Sequence, residues 1–168
     1  LPEGFAPAEE LRAALPAAAQ QVAYVGVAGT AGKTAAAALT AAVLQAAGFV
    51  TGLYCAGCEP LEQRVRINGK PVADALLCAA AETLSRAKPL PRAAAELAAA
   101  AACFGAAGCR LAVVELPDAG LAEALSHMPV CVVTSIGPDG VSRSVERSAA
   151  LAAGVMREGA ICVTAPEQ

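Results

Sequence analysis

The sequence predicts an α/β fold, a three-layer arrangement with a mostly parallel sheet, helices on both faces and a small β-hairpin flap. Three observations predict it. Short apolar runs alternate with Ala/Leu-rich stretches of helical length along the whole chain. The first run passes through a glycine-bracketed turn straight into a helix, and a second strand follows that helix. Such a βαβ unit joins its strands in parallel, by a right-handed crossover.

Residues 1–20 are a lead-in, with a helix over Ala8 to Leu15 closed by Pro16. Glu3, Glu9, Glu10 and three prolines make this stretch unlike a signal peptide. From Val22 the chain reads as a buried strand that breaks at Gly29-Thr30-Ala31-Gly32-Lys33-Thr34, followed by a helix over Ala35 to Ala47. Strand, glycine-rich turn and helix in that order make an anion site. The glycines let the backbone turn its N–H groups inward, the helix N-terminus adds partial positive charge, and Lys33 adds a full one. Phosphate fits such a cradle, and Thr34 stands where a P-loop carries its Mg²⁺-ligating hydroxyl, so the architecture is P-loop NTPase-like. The strict spacing is not met, because the position five before Gly32 is Val27.

A second strand is expected from Phe49 to Cys55, then a polar loop over Ala56 to Gln63. Arg64-Val65-Arg66-Ile67 alternates up to Asn68-Gly69, a type I′ hairpin signal, and Lys70-Pro71-Val72 returns. Asp74 to Lys88 and Arg92 to Ala107 are helical, parted by Pro89-Leu90-Pro91. Arg110 to Glu115 is a buried strand ending in a carboxylate at the edge where ligands of open α/β sheets collect. A helix over Asp118 to Ser126, a strand over Val130 to Ile136, a loop at residues 137–140, a helix over Val145 to Arg157 and a strand over Ala160 to Thr164 complete the pattern.

Composition narrows the function. A chain of 168 residues is one ordinary domain with a real core. Net charge of −3 with scattered Lys and Arg argues against nucleic acid as a partner. The uncharged stretch from Ala35 to Cys58 is interrupted by Thr40, Gln45, Gly48, Thr51 and Gly52, which argues against a membrane span and for a helix-strand pair. The cytoplasm is the expected compartment. Apolar residues are 57% of the chain but aromatics only 3%, so closely packed alanine helices are expected. Of seven cysteines, Cys78, Cys103, Cys131 and Cys162 read as small core residues, while Cys55-Ala-Gly-Cys58 is a lone C-x-x-C open to a zinc or a redox reading. His127, the one histidine, reads as a surface residue.

From about Val22 to Pro166 the residues resemble the central ATP-binding domain of the Mur ligase superfamily, in its folylpolyglutamate synthase/dihydrofolate synthase branch. Val27-Ala-Gly-Thr-Ala-Gly-Lys33 is similar to the family's V-A-G-T-N-G-K loop, and Ala47-Gly48-Phe49-Val50-Thr51-Gly52-Leu53-Tyr54 to its A-G-Y-x-x-G-L-F. Arg64 to Gly69 resembles its E-R-I-x-I-N-G, and Val133-Thr-Ser-Ile-Gly137 its I-T-S-I-G, with Val113-Val-Glu115 between them. The resemblance implies a domain over residues 21–168 that serves an ATP-dependent amide ligase, in which a folate carboxylate is phosphorylated and then attacked by the amine of glutamate. It implies ATP and Mg²⁺ as cofactors, Gly29 to Thr34 on the phosphates, and Thr34 and Glu115 on the metal.

The chain also departs from the pattern. The loop asparagine is Ala31, the Ser/Thr two after the lysine is Ala35, and S-P-H-L is replaced by Cys55-Ala-Gly-Cys-Glu-Pro60. The stretch after Glu115 has collapsed to Leu116-Pro-Asp-Ala-Gly-Leu-Ala122. The histidine of the D-H pair falls at Gly140, after Asp139, and the carbamylated lysine at Ala152. With the sequence ending at Gln168, the C-terminal ligase domain is expected to be absent. Two readings follow: a truncated nucleotide-binding domain whose ligase activity needs a missing domain, or a non-catalytic scaffold or regulatory relative that binds protein. Nucleotide and a folate-like small molecule are the expected ligands. A homodimer or a separate chain supplying the missing domain would cover the exposed edges.

Overall fold

The computed structural model describes residues 8–58, 60–138 and 144–165. Helices α1 (Ala8–Ala14) and α2 (Ala17–Gln20) precede strand β1 (Ala23–Ala28), which leads into α3 (Lys33–Ala46) and β2 (Thr51–Tyr54). A single helical turn α4 (Leu61–Arg64) opens the hairpin β3 (Val65–Ile67) and β4 (Lys70–Pro71). Then come α5 (Asp74–Leu84), α6 (Arg92–Ala106), β5 (Leu111–Glu115), a 3-10 helix (Ala119–Ala124), β6 (Val130–Val133), α7 (Val145–Ala153) and β7 (Ile161–Thr164).

One seven-stranded sheet runs β4-β3-β2-β5-β1-β6-β7. β2, β5, β1, β6 and β7 are mutually parallel, and the hairpin adds antiparallel to β2. The expected mostly parallel sheet with a hairpin flap is therefore what forms. Asn68 (φ 49) and Gly69 (φ 76) both hold the positive φ that a type I′ turn needs. Asn68 also ties the flap down: its Oδ1 accepts from Thr51 N at 3.0 Å while its own N–H donates to Thr51 O at 2.9 Å.

Side chains alternate between the two faces of each strand. Val25 and Val27 of β1 join Leu53, Val113 and Cys55 against Ala37 and Ala41 of α3. Tyr24, Tyr54, Ala112 and Val114 point the other way, into a larger core with Leu97, Ala98, Ala101 and Phe104 of α6 and Leu11, Leu15 and Ala19 of the N-terminal segment. Residues 8–20 thus belong to this core, and Tyr24 Oη donates to Ala19 O at 2.8 Å. Small residues set the spacing. A methyl added at Gly105 would lie 2.5 Å from Ala19 N, and one at Gly52 would lie 2.5 Å from the Phe104 ring.

Several expectations shift. α3 begins at Lys33 and ends in a Schellman motif, with Phe49 N–H donating to Leu44 O, Gly48 N–H to Gln45 O, and Gly48 at φ 88. The chain is still closing the helix at Phe49, so β2 starts at Thr51. The loop at 56–63 gives up its last residues to α4. The helix expected at Asp118 to Ser126 is a 3-10 helix, because Asp118 accepts from Gly120 N at 3.0 Å and tightens the first turn. β6 stops at Val133, after which Thr134 N–H donates to Ala28 O and Ser135 forms an isolated bridge with Ala31. Cys103 and Cys131 are buried as expected, but Cys78 and Cys162 are exposed, the latter on β7, whose four residues all face solvent. His127 is exposed, and Asp139, Gly140 and Pro166 lie outside the described residues. Among the described residues no helix is long and apolar enough to cross a membrane.

Candidate functional site

After β1 the chain runs to β2 on one side of it, and after β5 it crosses to β6 on the other. Loops leaving the carboxyl ends of β1 and β5 therefore diverge, and in open α/β sheets such a crevice receives the ligand. Gly29 to Gly32 lie in it.

Gly29 adopts φ 132, and a Cβ there would fall 2.2 Å from Thr134 Oγ1, so only glycine fits. Gly32, at φ 82, is the N-cap of α3, and no side chain caps that 14-residue helix. Its first-turn amides thus open toward the loop with their partial positive charge. Thr30 and Ala31 are turned elsewhere: their N–H groups donate to Ser135 O at 3.0 and 3.4 Å, and Thr30 Oγ1 donates to that carbonyl and accepts from Gly137 N. Lys33 bends back over the loop, with Nζ 2.9 Å from Gly29 O and 3.5 Å from Thr30 O.

Beside it in the first turn of α3, Thr34 Oγ1 donates to Glu115 Oε2 at 2.9 Å, across 81 positions of sequence. Glu115 ends β5, paired with Val27, and is 4% exposed. The two sequence-predicted metal ligands are thus side by side. Both offer hard oxygen donors, and a protein hydroxyl with one carboxylate suits an ion that keeps waters and takes phosphate oxygens for its other positions, as Mg²⁺ does. Among the described residues no group of three or more His, Cys, Asp and Glu is placed to hold a metal by itself.

The turn after β2 roofs this pair. Cys58 N–H donates to Cys55 O at 3.3 Å, closing a turn whose Gly57 faces Thr34; a methyl at Gly57 would sit 3.3 Å from Thr34 Oγ1 and 3.9 Å from Glu115 Oε1. The turn is held by Arg64, whose carbonyl accepts from Cys55 N at 2.9 Å and whose Nε donates to Cys58 O at 2.5 Å. The same guanidinium reaches Glu96 Oε2 at 2.5 Å, which also accepts from Tyr54 Oη at 3.3 Å, while Arg92 Nε donates to Glu96 Oε1 at 2.8 Å. Burial works to raise the Glu96 carboxyl, but the hydrogen bonds and charges of Arg92 and Arg64 outweigh it and hold the pKa below its ordinary value. Cys55 is pushed up to about 12 by burial first, then by Cys58 and Glu115. The sequence signal for this network is Arg64, which opens the stretch that resembles the family's E-R-I-x-I-N-G; nothing in the sequence pairs it with Glu96.

On the far side of the loop lies a cavity of about 210 Å³, walled by Gly29, Thr30, Asp118, Ser148, Leu151 and Ala152, among others. Ala152, where the resemblance places a lysine, gives this wall only a methyl group. Burial raises the Asp118 carboxyl pKa above its ordinary value, although Gly120 N–H donates to it.

Fold and site together define a class: an α/β domain with an uncapped helix N-terminus, a lysine and a hydroxyl-carboxylate pair at the carboxyl edge of its parallel strands. No protein-family model and no curated protein sequence matches the chain. Solved structures do. It is similar to a point mutant of L. casei folylpolyglutamate synthase (25% identity, TM-score 0.82, 96% of this chain and 44% of that one). It is similar to a complex of such a synthase with AMPPCP and folate (26%, TM-score 0.80, 94% and 42%). It is also similar to Mycobacterium tuberculosis folylpolyglutamate synthase complexed with ADP (26%, TM-score 0.74, 89% and 37%). The resemblance to the folylpolyglutamate synthase branch of the Mur ligase superfamily is therefore carried by the fold, and the chain is a folylpolyglutamate synthase-like domain. It spans less than half the length of the structures it matches.

Proposed function

We propose that this domain binds the phosphates of ATP together with Mg²⁺, at the turn from Gly29 to Thr34. The observation that carries the reading is the Thr34–Glu115 contact: a hydroxyl and a carboxylate remote in sequence meet at 2.9 Å beside an uncapped helix start and a lysine. In this reading the amides at the start of α3 and the Lys33 ammonium hold phosphate oxygens, and Lys33 leaves its carbonyl contacts at Gly29 and Thr30 to do so. Thr34 and Glu115 hold Mg²⁺, which when bound offsets charge on the phosphate oxygens. Thr30 and Ala31 shape the turn, since their amides are given to Ser135.

Two of the similar structures are described as complexes with a nucleotide or its analogue, and one of these also contains folate, which supports the same ligand classes here. Amide ligation by these residues alone is not part of the proposal. Ala31, Ala35 and Ala152 supply no polar group at positions where the resemblance places one, and electrostatic catalysis fails donor by donor. A compartment rich in ATP, such as the cytoplasm, is the one this reading requires.

Titration of a fluorescent ATP analogue with Mg²⁺ tests it. Lys33→Ala removes a charged donor worth about 1.5–3 kcal/mol, so affinity falls roughly 10-fold to 100-fold. No binding by the wild type, or equal binding by both proteins, refutes the proposal.

A further inference from the structure

Cys55 and Cys58 lie outside the nucleotide contacts, yet their turn forms the roof over the proposed metal pair. Three facts place them as a unit. The Cys58 N–H to Cys55 O bond closes the turn. The Cys58 thiol is near enough to Cys55 to help raise its pKa, after burial. Both ends are pinned, Cys55 by burial and by its N–H, which donates to Arg64 O, and Cys58 through its carbonyl, which accepts from Arg64 Nε. Cys58 is partly exposed and so open to a reagent, whereas Cys55 is buried beneath it.

We propose that Cys55 and Cys58 are a dithiol modification site that closes to a disulfide by exchange with a small-molecule disulfide, and that closure weakens magnesium-nucleotide binding at the adjacent Thr34–Glu115 pair. The second half rests on the nucleotide reading; the first does not. In the exchange, Cys58 gives its proton to water and its sulfur attacks one sulfur of the reagent RS–SR. That bond breaks, one RS⁻ leaves, and a mixed disulfide forms on Cys58. Cys55 then loses its proton and attacks Cys58 Sγ, which releases the second RS⁻. Both thiolates take up protons, so two protein thiols are oxidised by two electrons and one RS–SR becomes two RSH.

A disulfide brings the sulfurs to about 2.05 Å with Cβ atoms roughly 3.5–4.5 Å apart. With Cys55 and the Cys58 carbonyl pinned, the adjustment falls on Ala56 and Gly57. Gly57 has little room, since even a methyl there would be 3.3 Å from the Thr34 hydroxyl. A shift of this turn is therefore felt at the two groups proposed to hold the metal.

Cys131 and Cys162 are register partners across the β6–β7 ladder, and Cys131 Sγ donates to Ile161 O. Exposed Cys78 has no such partner among the described residues and serves as an internal reference for simple adduct formation.

The test is to treat the folded wild-type chain with oxidised glutathione, map its peptides by mass, and titrate the fluorescent ATP analogue with Mg²⁺ before and after oxidation, alongside Cys58→Ser. The expected results are a peptide pair 55/58 two hydrogens lighter with no retained glutathione, a glutathione adduct on Cys78, and affinity at least about five-fold weaker after oxidation, restored by dithiothreitol. Cys58→Ser keeps its affinity through the same treatment. Retained glutathione on Cys58, or both thiols left free, overturns the modification site. A mapped 55/58 disulfide with unchanged affinity, or an equal loss in Cys58→Ser, overturns the coupling. Absence of binding by the reduced wild type refutes the nucleotide reading and with it the coupling, while the peptide map still decides the disulfide.

Discussion

Replacing Gly29 with alanine tests whether the turn after β1 is built by close approach as well as by backbone freedom. Two costs add at this position. The φ of 132 lies where an L-residue is strained, at about 1–3 kcal/mol. The new methyl also falls 2.2 Å from Thr134 Oγ1 and 3.2 Å from Ser135 O, so the Thr134 hydroxyl must abandon its 3.1 Å bond to Ala28 O, worth roughly 0.5–1.5 kcal/mol. Together they amount to about 2–4 kcal/mol, or a Tm lower by roughly 5–15 °C for a chain of this size. Gly32→Ala is the internal comparison. Its φ is 82 and nothing lies within 4 Å of a methyl there, so only the backbone cost applies, about 1–2 kcal/mol. Urea unfolding followed by circular dichroism measures both variants. Measured against Thr134→Ala as the reference, Gly29→Ala costs only the backbone part, because the hydroxyl that it displaces is already gone. If the two glycine variants prove equally stable, or Gly29→Ala costs as much in the Thr134→Ala background as in the wild type, the close approach of β1's turn to the β6 exit is not what selects glycine.

Thr34→Val and Glu115→Gln each abolish most of the difference between nucleotide affinity in Mg²⁺ and in EDTA, by about tenfold, while affinity in EDTA stays near the wild-type value; isothermal titration in both buffers checks this. Glu96 makes an acid-side contribution to stability. Its folded pKa is depressed, so the contribution is complete above the ordinary value of 4.5 and is lost as pH falls through the lower folded value; denaturant midpoints below pH 4.5 fall more steeply for wild type than for Glu96→Gln. In the native protein at pH 7.5, iodoacetamide modifies Cys78 and Cys162 first. Cys55, Cys103, Cys109 and Cys131 react last, since all four are buried and burial pushes their thiols up, Cys55 to about 12 and the others to about 11; timed alkylation read by mass spectrometry shows the order.

Local chemistry made much of the fold legible. Asn68-Gly69 could adopt one hairpin turn, Gly48 ended a helix, and the apolar run before Gly29 was long enough for one buried strand, and each stands as read. Glu115 was legible because an acid closes an otherwise apolar strand. The placements that failed depended on partners far along the chain. Cys78 and Cys162 sit in apolar stretches, yet their exposure is decided by which faces of α5 and β7 are covered. Asp118 reads in sequence as the first residue of a helix, and the tighter 3-10 turn it caps follows from a bond two residues on. Arg64 and Glu96 meet across 32 positions with no periodicity to join them. The nearness of the cysteine turn to Thr34 follows from β2 lying beside β5, since parallel neighbours end at the same edge, and strand order is what periodicity leaves open.

The alanine-built α6 has an evolutionary consequence. Ala98, Ala100 and Ala101 are fully buried in a helix packed against α5, α2 and β2. Each of these side chains freezes no rotamer on folding and has a single methyl to delete, so shortening one costs about the 1 kcal/mol of glycine's helix penalty, whereas one added methylene forces neighbouring backbones apart. Drift along this helix is therefore one-sided: the sequence can exchange alanine for glycine at modest loss, but it cannot grow.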